Sequence, residues 1–106
     1  MFHTVFLCKK RDDMTQQEFT DYWINLHTPL TAKAPGLVAY RCYPSIGHPD
    51  KSAPFDAVAV CSFTDRAAYD AAMESPEFQA ALADAVNFQN TDETVAFWAT
   101  EHVIVG

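Results

Sequence analysis

His27 and Tyr40 are the two side chains of this chain whose types and placement best suit proton chemistry. An unperturbed imidazole titrates near neutral pH, so His27 can take up or release a proton. A phenol can donate a proton or polarise a carbonyl oxygen. Both residues lie in one stretch, MTQQEFTDYWINLHTPLTAKAPGLVAY, from Met14 to Tyr40. Thr15 followed by Glu18 spells a capping box, and Met14 with Phe19 fits a hydrophobic staple. Phe19, Tyr22, Trp23, Leu26 and Leu30 recur at helical spacing, which predicts an amphipathic helix over 16–33. His27 follows Trp23 by one turn and falls at the edge of that stripe. Pro29 has no N–H for the Asn25 carbonyl, so the helix should bend or loosen beside His27. Pro35-Gly36 stops the segment, with a positive φ expected at Gly36, and Leu37 opens a strand that carries Tyr40 on one face. A helix folded back on its sheet brings its end close to the next strand, so His27 and Tyr40 can line one pocket.

Each candidate also has a structural reading. His27 can bond the carbonyl that Pro29 frees, and Tyr40 can fill the interior with its hydroxyl satisfied. Asp56 opens a strand and can orient a histidine or serve a turn. His3 and His102 fall on the first and last strands and His48 in a loop, so their membership of a site stays open. No HxH, HxxxH or HExxH spacing occurs, so no metal site is expected. Gly36, Gly47 and Gly106 are the only glycines, no phosphate-binding loop can be built from them, and no cofactor is expected. Cys8, Cys42 and Cys61 show no CxxC spacing and read as reduced thiols acting as small hydrophobes. Arg41 beside Cys42 is a weak signal for a nucleophile.

The elements that must position these groups follow in order. Strands are predicted over 2–9, 37–43, 55–63 and 95–105. After the first helix come a short helix over 65–73 capped by Thr64, and a third begun by Ser75-Pro76-Glu77 with Phe78, Leu82 and Val86 on its apolar face. Residues 44–54 read as loop and 87–94 as a polar connection. The order β-α-β-β-αα-β predicts an α+β, ferredoxin-like domain over 1–106, a four-stranded antiparallel sheet with helices on one face. Several strands are apolar on both sides, including Phe55, Ala57 and Ala59 against Val58 and Val60. The helices cover one face only, so the other should pack on a second copy to make a homodimeric α+β barrel. The strand parity that faces inward is not set by the sequence. Phe97 and Trp98 alternate, so one should face the barrel and the other the helices.

With 49% apolar residues and a net charge of −7, the chain reads as a folded globule. Nucleic acid and anionic membranes are poor partners for that charge. No apolar run spans a bilayer and the N-terminus lacks signal-peptide features, which makes a cytoplasmic protein the expectation.

Phe19-Thr20-Asp21-Tyr22-Trp23, His27-Thr28-Pro29-Leu30, Pro35-Gly36-Leu37 and Tyr40 together resemble the EthD family, named for ethyl tert-butyl ether degradation. Phe55-Asp56, Ser75-Pro76-Glu77 and Thr100-Glu101-His102 match it more loosely. The resemblance implies a ferredoxin-like subunit, a homodimer and a pocket between sheet and helices or inside the barrel. It does not imply one chemistry. The stretch up to Tyr40 also resembles the methylmuconolactone methyl-isomerases, in which a histidine and a tyrosine fall at the positions of His27 and Tyr40. The expected function is a cofactor-free enzyme of isomerase, lyase or cyclase type, moving protons on a small apolar, oxygenated or aromatic molecule. His27 and Tyr40 would be catalytic, and Phe6, Trp23 and Trp98 would form the apolar walls. The alternatives are a non-catalytic binding or accessory dimer of a degradation pathway, and a cofactor-free monooxygenase.

Overall fold

In a computed structural model describing residues 1–50 and 54–106, the first helix starts where its capping residues require. The Thr15 hydroxyl accepts the Glu18 N–H at 3.1 Å, and the Glu18 carboxylate accepts the Thr15 N–H at 2.9 Å. Met14 packs against the core cluster that contains Phe19, as the staple requires. Helix α1 runs over Gln16–Tyr22, followed by a π-helical turn, Trp23–His27, and a last short helix, α2, Thr28–Thr31.

That π turn is the main departure from the expected helix. The Thr28 N–H reaches back five residues to the Trp23 carbonyl, which leaves the Ile24 carbonyl to the Thr28 hydroxyl at 2.6 Å. Pro29 follows directly, and a widened turn is one way to accommodate its missing N–H and bulky ring. In a regular α-helix four residues overshoot a turn by about 40°. The wider π turn absorbs this drift, so Phe19, Trp23, His27 and Thr31 form one buried line at a spacing of four. His27 thus moves from the edge of the apolar stripe to its centre, 8% exposed. Leu26, expected on the stripe, turns outward and is 59% exposed.

The strands are β1 (Phe2–Cys8), β2 (Ala39–Pro44), β3 (Ala57–Phe63) and β4 (Val95–Ala99). They form one antiparallel sheet in the order β2-β3-β1-β4. Helices α3 (Arg66–Met73) and α4 (Pro76–Asp84) follow β3, and a single 3-10 turn, Ala85–Asn87, follows α4. This is the ferredoxin-like α+β arrangement. The last strand ends at Ala99 instead of Val105, and residues 100–106 are exposed beyond it. Asp65, not Thr64, caps α3: its carboxylate accepts the Ala68 N–H at 2.8 Å. Ser75 caps α4 as expected, accepting the Phe78 N–H at 3.1 Å. Phe78 and Ala81 are the buried side of α4, whereas Leu82 and Val86 stay about half exposed. The central part of the loop expected over 44–54, Lys51 to Ala53, lies outside the described residues.

Register settles the strand parity. Phe6, Cys8, Ala57, Ala59, Tyr40 and Cys42 share the face that packs on the helices. The alternate residues Val5, Leu7, Val58, Val60, Val95 and Phe97 form the other face, which no helix among the described residues covers. Trp98 falls on the helix side and Phe97 on the open side.

Gly36 takes φ 78°, the left-handed backbone that the helix-to-strand turn was expected to need. Gly47 also has a positive φ, 148°, but nothing lies within 4 Å of a Cβ placed there. A Cβ on Gly36 would be in ordinary contact with Ala68 at 3.9 Å, so the further methyls of a valine are crowded there but not at Gly47. Positive φ strains a residue with a Cβ at both positions, by about 1–2 kcal/mol for left-handed backbone, and Gly36→Val should lower the melting temperature more than Gly47→Val because of this added contact. Equal melting temperatures would contradict this account of the turn.

Candidate active site

Between the helices and the sheet lies a cavity of about 240 Å³. His27 and Tyr40 both line it, from α1–α2 and β2 respectively, together with Phe6, Trp23, Thr31 and Phe78. Small residues, Cys8, Ala59 and Cys61, make its floor on the sheet, which is why room remains there.

His27 is held from both sides. The imidazole Nδ1 lies 2.9 Å from Asp84 Oδ2, and Nε2 lies 3.3 Å from the Thr31 hydroxyl. Beneath the ring lies Phe88, fully buried, with centroids 4.7 Å apart. Asp84 is the last residue of α4, and its other oxygen accepts from the Tyr22 hydroxyl at 2.6 Å and the Asn87 amide at 2.9 Å. Burial pushes the Asp84 carboxyl up, but the hydrogen bonds from Tyr22, Asn87 and His27 outweigh it and hold the group below the usual carboxylate range. An ionised carboxylate only accepts, so the Nδ1 proton belongs in this bond and Nε2 is left as the basic nitrogen toward the cavity. The imidazole does not bond the carbonyl near Pro29; the Thr28 hydroxyl takes that part of the helix.

Tyr40 reaches the same polar line. Burial, then the neighbouring Cys42, raises its phenol well above the ordinary value, while the Thr31 hydroxyl partly offsets this. It remains a proton donor throughout the neutral range. His27, Thr31 and Tyr40 thus run in sequence along one wall of an otherwise largely apolar space, with Asp84 bonded to His27 outside the lining. Burial, and next the neighbouring Cys42 thiol, pushes the Cys8 thiol to about 12. Burial does the same to Cys61, also about 12, and raises Cys42. All are protonated at neutral pH and none is an activated nucleophile.

The remaining candidates sit elsewhere. Asp56 accepts the Lys10 N–H at 2.9 Å and so ties the end of β1 to the start of β3. His3 is buried on the open sheet face, with Nδ1 2.7 Å from the Ser62 hydroxyl. His48 and His102 are exposed. Phe6 and Trp23 line the His27 cavity as expected, but Trp98 does not. It is separated from that cavity because β4 is the far edge strand, and it packs with Phe2, Tyr69 and the Arg66 guanidinium, 4.0 Å above its ring. Among the described residues no group of three or more His, Cys, Asp or Glu is placed to hold a metal ion.

Asp84 and Phe88 were not foreseen. Phe88 falls in a stretch that reads as polar connection. A signal for Asp84 does exist: a carboxylate in the last turn of a helix opposes the helix dipole, so it calls for a partner.

The depressed Asp84 carboxyl has a consequence for acid stability. Its folded value lies below its unfolded value of about 3.9, so its contribution is complete above that pH and is lost as pH falls through the folded value. Melting temperatures of the native chain and Asp84→Asn should differ most above about pH 4 and converge at lower pH. A constant difference down to pH 2 would contradict the assignment.

The fold and this site define a ferredoxin-like α+β subunit with a cavity between sheet and helices. Residues 11–92 match the EthD domain model, and the chain belongs to the EthD family. Its structure is similar to that of an ethyl tert-butyl ether degradation (EthD) family protein from Bacillus halodurans, with TM-score 0.82 and 25% identity, covering 96% of this chain and 99% of that one. A dimeric ferredoxin-like protein of unknown function from Thermobifida fusca is similar with TM-score 0.75 and 20% identity, covering 94% and 90%. An antibiotic biosynthesis monooxygenase shares the fold, with TM-score 0.63 and 17% identity, covering 96% and 99%. No protein with a curated description matches the sequence. Among the described residues no helix is long and apolar enough to cross a membrane.

Proposed function

We propose that this chain is a cofactor-free enzyme that moves protons on a small, apolar, oxygenated molecule, such as a lactone or phenol, held between sheet and helices. The observation that carries this reading is the Asp84–His27 pair: an imidazole clamped at Nδ1 by an ionised carboxylate, on the wall of a cavity it shares with Tyr40. His27 Nε2 acts as general base and then returns the proton as general acid. Asp84 fixes the tautomer and stabilises the imidazolium that forms. Tyr40 polarises or protonates a substrate oxygen. Phe6 and Trp23 provide apolar walls. The reaction type is isomerisation, cyclisation, decarboxylation or a related proton-transfer step.

The working form in this reading is a homodimer in the cytoplasm. The uncovered sheet face supports the dimer, because soluble monomers rarely leave that much apolar surface in water. The description of the Thermobifida fusca protein as dimeric agrees with it. The thiols Cys8, Cys42 and Cys61 are all free, which suits a reducing compartment.

A panel of small lactones and phenols, assayed for turnover with the native chain and with His27→Asn, tests the proposal. Turnover lost in the variant supports it. Binding without turnover, unchanged in the variant, would favour the accessory dimer instead. Oxygen consumption coupled to turnover would favour a monooxygenase.

A further inference from the structure

The His27 cavity adjoins a second space at Phe6. Phe6, Phe78 and Leu82 line it and also line an open groove of about 590 Å³ bounded by β1, β4, α4 and the end of α3. Thr4, Tyr69, Met73, Ala96, Phe97 and Trp98 make up the rest of the groove. No Lys, Arg, Asp or Glu lines either space. Leu82 and Trp98 are each about half exposed, an apolar stretch of surface on the helix side. A second copy on the open sheet face leaves Trp98 uncovered, because Trp98 is on the helix side of β4. Thr4, at 3% exposure, buries a hydroxyl with no hydrogen-bond partner beside this groove. An unmet buried hydroxyl is a cost that a molecule bound nearby can relieve.

We infer that cavity and groove are one binding site, and that its ligand is an elongated, uncharged molecule with an oxygenated head and a hydrocarbon tail. The head lies between His27 and Tyr40. The tail passes Phe6 and Leu82 and lies against Ala96 and Trp98. The shared walls carry this inference: Phe6, Phe78 and Leu82 border both spaces, and Leu82 is about half exposed, so a ligand lying along these side chains reaches both. The absence of charged residues from both linings sets the ligand's neutrality: the Arg66 guanidinium beside the groove lies against the Trp98 ring, where the tail and not the head would meet it. The position of the head rests on the function proposed above; the position of the tail does not.

A series of 4-alkylphenols from ethyl to hexyl, titrated against tryptophan fluorescence, tests it. Each methylene that enters the groove should tighten binding about fourfold, so 4-hexylphenol should bind on the order of 10²-fold more tightly than 4-ethylphenol. Ala96→Tyr should remove that advantage and leave 4-ethylphenol unaffected. Ala96 is exposed, lines only the groove and sits on a strand that favours tyrosine, so the variant should fold. Affinity independent of chain length in the native protein, or a chain-length gain that survives Ala96→Tyr, overturns the groove. A gain abolished by Ala96→Tyr, with head affinity unchanged in Tyr40→Phe, keeps the groove and overturns the head placement. No binding by any member overturns the whole site.

Discussion

His27→Asn is expected to lower turnover by about 10²–10⁴-fold, the usual loss when one positioned proton-transfer group is removed. Asparagine retains an amide donor on the Asp84 side of the residue, and Asp84 keeps its bonds from Tyr22 and Asn87. The fold should therefore survive and the loss should fall on the chemistry. Tyr40→Phe removes only a hydroxyl from a ring that still fills its place in the sheet, and should also lose most of the activity. The double variant should cost little more than either single one, because groups that act as one unit are not additive. Asp84→Asn provides a separate check. It leaves the ring in place but can present a donor to Nδ1, which moves the imidazole proton to the wrong nitrogen. The measurements are turnover and melting temperature on the same preparations. If the pair is structural, His27→Ala instead lowers stability by about 1–3 kcal/mol through unpaired buried groups, and the folded fraction keeps its activity.

A charge on the open sheet face should divide the proposed dimer. Val58 pairs with Leu7 on one side and Tyr43 on the other, on that face and with no charged residue opposite it. In a barrel of two copies its side chain is removed from water, and an unpaired carboxylate there costs several kcal/mol. Val58→Asp should sediment as a single subunit of 11.8 kDa, melt at lower temperature and keep its secondary structure. Ala59→Asp, one residue away, points into the helix-packed core and should fail to fold instead. The contrast between neighbouring residues makes the test specific to the face. A native chain that itself sediments at the size of one subunit would remove the barrel from the proposal.

The parts of this protein legible in its sequence are those built from contacts close along the chain. The capping box at Thr15 and Glu18, the Ser75 cap, the positive φ at Gly36 and the strand alternation each depend on residues a few positions apart. From these the element order and the ferredoxin-like sheet follow, and so does the proximity of His27 to Tyr40, since a helix-to-strand turn leaves few other arrangements. Proline at position 29 also announced a disturbance beside His27, though not its form. A bend would have left His27 at the stripe's edge; the π turn brings it to the centre and turns Leu26 outward. That choice depends on what the face must pack against, which is Phe88, far along the chain. Asp84 was missed for the same reason: its bond to His27 joins the end of one helix to the end of another, and nothing local to either residue encodes the distance. Trp98 was placed in the His27 pocket on its aromatic character, but strand order puts β4 at the far edge of the sheet, and only tertiary structure decides strand order. The final strand stops at Ala99, although apolar β-branched residues continue to Val105, because a strand needs a neighbour to pair with and β1 ends its pairing with β4 at His3.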